Sequence, residues 1–244
     1  NSAAELTDAL RALRDSHQVA IDGFEAPVEA EKDVQTAFVG REPETKKLSE
    51  ALRQALEGSG KLVFLTGEPG MGKSALAEEF LRSTRRHHPS LLISRGRCVE
   101  QFGAGETYLP FLDAISSLHE GYSRDRIRSI LRSHAPTWFL QLPAASSSTG
   151  QLEQIRIDAI GATRDRMLRE LGDALAAFAA STPVVLLLED LHWADPSTID
   201  LLRHLANRIG GQRVLLLATY RPADLEITNH PLKKYKAEMQ AHNQ

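Results

Sequence analysis

The chain has 244 residues, of which 42% are hydrophobic and 25% are charged, and its formal net charge is −3 at pH 7. This length fits one large globular domain with appendages. The acidic balance argues against nucleic-acid binding, which favours basic surfaces, and no apolar run approaches the ~20 residues that span a bilayer. The single Cys98 excludes an internal disulfide framework. We therefore expect a cytoplasmic protein that binds neither nucleic acid nor membrane.

The first 36 residues carry no candidate chemistry. Leu6, Leu10 and Leu13 lie at helical spacing, and an acidic, proline-containing stretch follows over 25–35. We expect residues 1–36 to form a linker or the tail of an upstream domain, and residues 37–244 to form the core. The first residue is Asn1 rather than Met, which suggests a fragment or a processed protein.

A helix is expected to begin at Pro43, since proline suits the first helical turn. Its apolar positions are Leu48, Ala51, Leu52, Ala55 and Leu56. On pattern alone, the preceding residues 38–42 (FVGRE) do no more than lead into this helix.

The stretch 61–81 organises the rest of the chain. A short apolar strand leads into residues 67–74 (GEPGMGKS), and a helix follows with an apolar face made of Leu76, Ala77, Phe80 and Leu81. Residues 67–74 match the phosphate-binding pattern G-x-x-x-x-G-K-[ST] at every fixed position, between the required strand and helix. The glycines let successive N–H groups turn around a phosphate, Lys73 adds a positive charge, and the Ser74 hydroxyl can ligate Mg²⁺. A glycine-rich turn without a ligand is the alternative.

The middle of the chain predicts helices with few functional residues. Residues 82–90 are expected to form a basic loop, where His87 and His88 lack a second pair of ligands at metal-binding spacing. A strand is expected over 91–99, a helix over 109–120, short helices over 122–142 and a polar loop over 143–150. A longer helix is expected over 161–180, with Leu168, Leu171, Leu175 and Phe178 on one face.

Two unbroken apolar runs, 184–188 and 214–218, predict parallel strands covered on both faces. The first run ends in Glu189 and Asp190, and the second leads to Arg221. Ligand sites of open α/β sheets lie outside the carboxyl ends of the strands, so both acids are expected to face the phosphates held by residues 67–74. Arg221 either reaches the same crevice or is an ordinary surface arginine. A final helix is expected over 231–239.

With these segments, the chain resembles the P-loop ATPases of the AAA+ and STAND group, and more narrowly the ATPase module of large multidomain bacterial regulators. The resemblance is carried by residues 38–42, 67–74, 186–195 (LLLEDLHWAD) and 219–221 (TYR). It implies an α/β three-layer sandwich with a mostly parallel P-loop NTPase sheet. The strand at 61–66 should lie next to 214–218, then 184–188, then 91–99. The lid subdomain and the fifth strand would lie beyond Gln244, which would leave the strand at 61–66 at an edge that favours self-association.

The resemblance also implies the residues of a site for Mg²⁺ with ATP or ADP. The nucleotide would be contacted by Val39, Gly40, Arg41, Gly67, Pro69, Gly70, Met71, Gly72, Lys73, Ser74 and Ala75. The metal would be held by Ser74, Glu189 and Asp190, and catalysis would involve Lys73, Glu189, Asp190 and Arg221, with Arg221 sensing the γ-phosphate. Related ATPases often carry Asp at the position of Glu189, so which acid orients the attacking water stays open.

The expected function is an ATP-binding and slowly hydrolysing switch within a multidomain bacterial regulator, whose other domains would be its partners. A nucleotide-binding module that does not hydrolyse ATP is the alternative. A small-molecule kinase is the third hypothesis, and it would need an acceptor pocket.

Overall fold

The structure is a computed structural model that describes residues 41–100, 107–118, 123–142 and 163–241, with side chains as far as residue 239. Helices α1 to α9 cover Glu42–Leu56, Lys73–His87, Leu109–Ser117, Arg124–His134, Pro136–Phe139, Arg164–Ser181, Pro196–Arg208, Pro222–Ile227 and Pro231–Ala241. Strands β1 to β4 cover Lys61–Thr66, Leu92–Arg97, Val184–Glu189 and Val214–Tyr220. The expectations for 1–36 and for the loop at 143–150 lie outside the described residues.

The four strands form one parallel sheet in the order β1-β4-β3-β2, which confirms the predicted order. Every residue of β3 and β4 is buried, as their unbroken apolar sequences require in the centre of a covered sheet. In the register, Thr66 lies opposite Tyr220, and Arg97 lies opposite Glu189. The carboxyl ends of all four strands therefore meet at one edge of the sheet, where the candidate residues lie.

Helices cover both faces of the sheet and form the predicted three-layer α/β sandwich. On one face, α1 and α2 bury Leu48, Leu52, Leu76 and Phe80 against residues of the sheet such as Leu217. The other face carries a larger cluster to which α3 to α9 all contribute. Since α2 begins at the end of the loop that follows β1, its packing fixes that loop against the sheet edge. Among the described residues, no helix has the length and apolarity to cross a membrane.

The prediction of a loop over 82–90 is wrong, because α2 continues to His87. Thr84 is buried on the inner face of this last turn, and Arg82 pairs with Glu79 one turn earlier at 2.7 Å. Basic side chains in the last turn also suit the negative end of a helix dipole. His87 and His88 are exposed, and the described part of the chain contains no cluster of three or more His, Cys, Asp or Glu that could hold a metal ion.

Candidate nucleotide-binding site

The loop between β1 and α2 has the backbone geometry of an anion cradle. Gly70 and Gly72 have φ angles of 78° and 74°, in the left-handed region that a Cβ disfavours. Gly72 is also the residue that precedes α2, and no side chain caps this end of the helix. Because glycine has no side chain with which to cap the helix, the first N–H groups of α2 suit a phosphate oxygen.

Lys73 folds back across this loop. Its Nζ donates to the carbonyl of Gly67 at 2.5 Å and to the carbonyl of Glu68 at 3.0 Å. Burial lowers the pKa of Lys73 and the nearby Arg221 lowers it further, whereas Asp190 raises it. The structure thus brings three predicted site residues into one electrostatic environment, although they lie far apart in the sequence.

Arg41 connects the segment before α1 to the same loop. Its Nη2 donates a hydrogen bond to the carbonyl of Met71, and it lies 4.0 Å from the position that a Cβ on Gly72 would occupy. Arg41 is therefore beside the cradle, as the resemblance implies. The other two residues predicted for this segment, Val39 and Gly40, lie outside the described residues.

Asp190 follows β3 in an uncommon backbone conformation. Its φ of 58° is left-handed, which few residues other than glycine adopt. Its N–H donates to Thr219 Oγ1 at 2.9 Å, which ties the end of β3 to the end of β4. Its carboxylate accepts from Arg97 Nε at 3.1 Å, and its side chain is 14% exposed. Asp190 is thus fixed at the sheet edge with its carboxylate partly open to solvent.

Glu189 is more buried than Asp190. Its side chain is only 3% exposed, and it accepts from Arg95 Nε at 2.5 Å. A carboxylate taken out of water needs such a partner, since an unpaired buried charge is strongly destabilising. Arg95 and Arg97 are alternate residues of β2 and therefore lie on the same face of the sheet. Each acid at the end of β3 thus has a guanidinium partner from β2.

Arg221 lies at the end of β4, immediately before α8. Its Nη1 is 3.7 Å from Asp224 Oδ2, and its side chain is 34% exposed. Its charge lowers the pKa of both Lys73 and His192. Arg221 therefore lies at the carboxyl edge of the sheet, half-buried beside Asp224.

Sequence reasoning missed four charged or polar residues at this edge, namely Arg95, Arg97, His192 and Asp224. One signal could have revealed the two arginines, because the predicted strand order already puts 91–99 beside the strand that ends in the two acids. His192 and Asp224 gave no comparable signal. Their proximity depends on how α8 turns back toward the residues that follow β3, which the sequence does not specify.

The residues present fit Mg²⁺ and a nucleoside phosphate. Ser74, Glu189 and Asp190 offer the hydroxyl and carboxylate oxygens that Mg²⁺ prefers. Lys73 and the N–H groups at the start of α2 offer positive charge and donors to phosphate. The donor chemistry of the site therefore agrees with the ligands that the sequence predicts.

Comparisons with known proteins agree with this geometry. The family described as AAA ATPase domain matches residues 37–217. A protein of Rhizobium meliloti (strain 1021), described as uncharacterized, is 29% identical over 201 residues, which cover 76% of this chain and 19% of that protein. The chain thus spans about a fifth of that relative's length.

Two solved structures show weaker similarity. Drosophila ORC bound to DNA shares 15% identity at a TM-score of 0.36, over 73% of this chain and 77% of the other. Drosophila ORC bound to AT-rich DNA and Cdc6 shares 18% identity at a TM-score of 0.35, over 76% of this chain and 54% of the other. Scores at this level carry no argument, so the assignment rests on the family match. Because that match covers well over half of the sequence, the chain belongs to the AAA ATPase domain family.

Proposed function

We propose that this chain is an Mg²⁺-dependent, ATP-binding and slowly hydrolysing switch module of a multidomain bacterial regulator. The family supports a nucleotide-binding ATPase module. The observation that carries the finer proposal is the position of Lys73, Asp190 and Arg221 at the carboxyl edge of the sheet. The Asp190 N–H bonds to Thr219, two residues before Arg221. Lys73 Nζ bonds to the carbonyl of Gly67 just after β1. Two cations and one partly exposed acid beside a glycine cradle are what triphosphate hydrolysis requires.

Nucleotide binding is assigned to the loop and its neighbours. The N–H groups at the start of α2 and the ammonium group of Lys73 would hold the phosphates of ATP or ADP. Lys73 would exchange its bonds to the Gly67 and Glu68 carbonyls for bonds to phosphate oxygens. Arg41, with Val39 and Gly40, would contact the adenine and ribose.

The chemical step is assigned to Asp190, Lys73 and Arg221. The partly exposed carboxylate of Asp190 would orient the attacking water, while Lys73 and Arg221 offset the charge that develops on the transferring phosphoryl group. Mg²⁺, held by Ser74, Glu189 and Asp190, would neutralise phosphate charge when bound. We assign the water to Asp190 rather than Glu189 because Glu189 is almost fully buried and held by Arg95.

A module that binds nucleotide without hydrolysing it is the second candidate, and one observation favours it. Arg95 and Arg97 engage Glu189 and Asp190 respectively. If these ion pairs persist when nucleotide binds, neither acid is free to orient water, and the nucleotide only stabilises a conformation for docking of partners.

The larger context of the module is also a proposal. The Rhizobium meliloti relative is about five times as long as the matched segment, which supports other domains of the same polypeptide as partners. In the described sheet β1 pairs with β4 alone, and an edge strand of this kind favours self-association. We propose a cytoplasmic location, and no direct contact of this segment with nucleic acid or membrane.

A phosphate-release assay separates the two candidates. With Mg-ATP, wild type should release phosphate slowly, and Asp190→Asn should reduce kcat by about 100-fold or more, because water orientation is lost. The dissociation constant for Mg-ATP should rise by less than about tenfold, since Asp190 helps to hold Mg²⁺ but does not hold the phosphates. Asp173→Asn is the matched control, because this carboxylate lies on α6 and pairs with Arg208.

Two results would contradict the hydrolytic proposal. If wild type binds ATP but releases no phosphate, the non-hydrolysing candidate replaces it. If Asp190→Asn retains the wild-type kcat, Asp190 does not orient the water.

A further inference from the structure

His192 is buried and Asp224 is 29% exposed, and together they form a polar pair beside the site that takes no part in the mechanism above. His192 belongs to the short 3₁₀ turn Leu191–Trp193 that follows Asp190, and its side chain has an exposure of 0%. Within the described part of the chain, neither ring nitrogen of His192 has a hydrogen-bond partner. Asp224 Oδ2 is likewise buried without a hydrogen-bond partner there. Buried polar atoms without partners are costly, so this pair is a candidate for a role in a second conformation.

Asp224 lies between two possible donors. Its Oδ2 is 3.4 Å from His192 Nε2 and 3.7 Å from Arg221 Nη1. Both distances exceed the ~2.7–3.2 Å of a well-formed N–H···O hydrogen bond. The carboxylate therefore forms an ion pair with Arg221 without a short hydrogen bond to either neighbour. A small movement of its side chain would reach either one.

The same carboxylate acts electrostatically on the cradle. Burial lowers the pKa of both Lys73 and His192, and the negative charge of Asp224 opposes this shift in each case. That charge therefore reaches the region where phosphates would bind. The groups that face His192 are Asp190, Arg221, Asp224 and Lys73. An imidazole can present an N–H at Nε2 whether neutral or protonated, so no change of protonation is needed for His192 to donate to Asp224.

We propose that Asp224 is a positioning residue for Arg221. In the absence of a γ-phosphate, the Asp224 carboxylate restrains the Arg221 guanidinium. When a γ-phosphate binds the guanidinium, the Asp224 side chain turns to His192 instead. This inference rests on the nucleotide site proposed above. ADP has no γ-phosphate, so the Asp224–Arg221 contact persists when ADP is bound. The exchange of partners lets the site distinguish ATP from ADP.

The test is the ratio of affinities for a non-hydrolysable Mg-ATP analogue and for Mg-ADP, measured by calorimetry. Asp224→Asn keeps an acceptor for His192 but loses the attraction to Arg221. It should therefore favour the ATP analogue over ADP by about fivefold relative to wild type. His192→Leu removes the donor to which Asp224 would turn when Arg221 binds phosphate. This variant should therefore favour ADP over the ATP analogue relative to wild type. Glu226→Gln is the matched control on α8, because this side chain is 64% exposed and pairs with Lys233.

Coupling to Arg221 distinguishes positioning from a general charge effect. In an Arg221→Ala background, Asp224→Asn should leave the ratio unchanged, because there is no guanidinium to restrain. Two results would overturn the inference but leave the nucleotide site intact. One is a ratio of affinities for the ATP analogue and ADP that is the same in Asp224→Asn as in wild type. The other is an equal shift of this ratio in the presence and in the absence of Arg221. Absence of binding of either nucleotide by wild type would instead show that the proposed function itself is wrong, and the inference would fall with it.

Discussion

Individual residues at the carboxyl edge of the sheet are held by partners from neighbouring elements. Glu189 is held by Arg95 of β2, and Asp190 is held through its N–H by Thr219 of β4. The spacing within one short segment predicts the candidate phosphate-binding residues. The partners of Glu189 and Asp190 could not be predicted in this way. Which charges on neighbouring strands lie next to each other depends on the order and register of the strands.

Cys98 also lies at this edge, and its burial gives a prediction at the residue scale. The residue is 3% exposed, and burial, with Asp190 and Asp195 nearby, raises the pKa of its thiol to about 12. Since the thiolate is the reactive form, we expect native protein to resist alkylation by iodoacetamide at about pH 8.5. Protein unfolded in guanidinium should react fully, and mass spectrometry would measure the modified fractions.

The sign of the pH dependence follows from the same pKa. The pKa of the Cys98 thiol is higher in the folded than in the unfolded protein, so burial of the neutral thiol stabilises the fold below about pH 8.5. This stabilisation is lost as the pH rises toward the folded pKa. The urea midpoint should therefore fall progressively above about pH 9. Rapid alkylation of the native protein at the lower pH would contradict the buried position of Cys98.

At the scale of elements, apolar pattern determined most of the fold. The unbroken runs in β3 and β4 predicted central parallel strands, and both strands are fully buried. The sequence predicts too early an end to α2, because the basic residues Arg85 and Arg86 suggest a solvated loop. In the structure Thr84 is buried on the inner face of the helix, which continues to His87. A single polar residue on the buried face is a weak signal in a sequence.

Close packing between elements gives a second prediction. Gly96 of β2 lies against α3, where an added Cβ would overlap the carbonyl oxygen of Pro110 and lie 3.0 Å from the backbone N of Ala114. We expect Gly96→Ala to lower the free energy of unfolding by about 2–3 kcal/mol, because backbone atoms must move to make room. Urea denaturation monitored by circular dichroism would measure this loss.

Gly211→Ala is the matched control for this change, because a Cβ on Gly211 would meet nothing within 4 Å. Its effect should stay within about 0.5 kcal/mol of wild type. Equal urea midpoints for the two variants would show that α3 does not pack on β2 at Gly96.

For the molecule as a whole, the parallel sheet is what makes a site possible. It gathers Lys73, Asp190 and Arg221 at a single edge, although Lys73 lies more than a hundred residues of sequence from the other two. The strand order was predicted through the resemblance carried by four short segments, and the structure has that order. The proposed regulatory output would depend on further domains, so no pattern within these 244 residues specifies it.

The central claim is that the loop before α2 binds a nucleoside phosphate through Lys73. Calorimetric titration with Mg-ATP tests it most directly, comparing wild type with Lys73→Ala and with the control Lys47→Ala, whose side chain is exposed on α1. We expect wild type and Lys47→Ala to bind equally, and Lys73→Ala to bind about 100-fold more weakly or not at all, because the charge on the phosphates loses its partner. Undiminished affinity in Lys73→Ala would contradict the account.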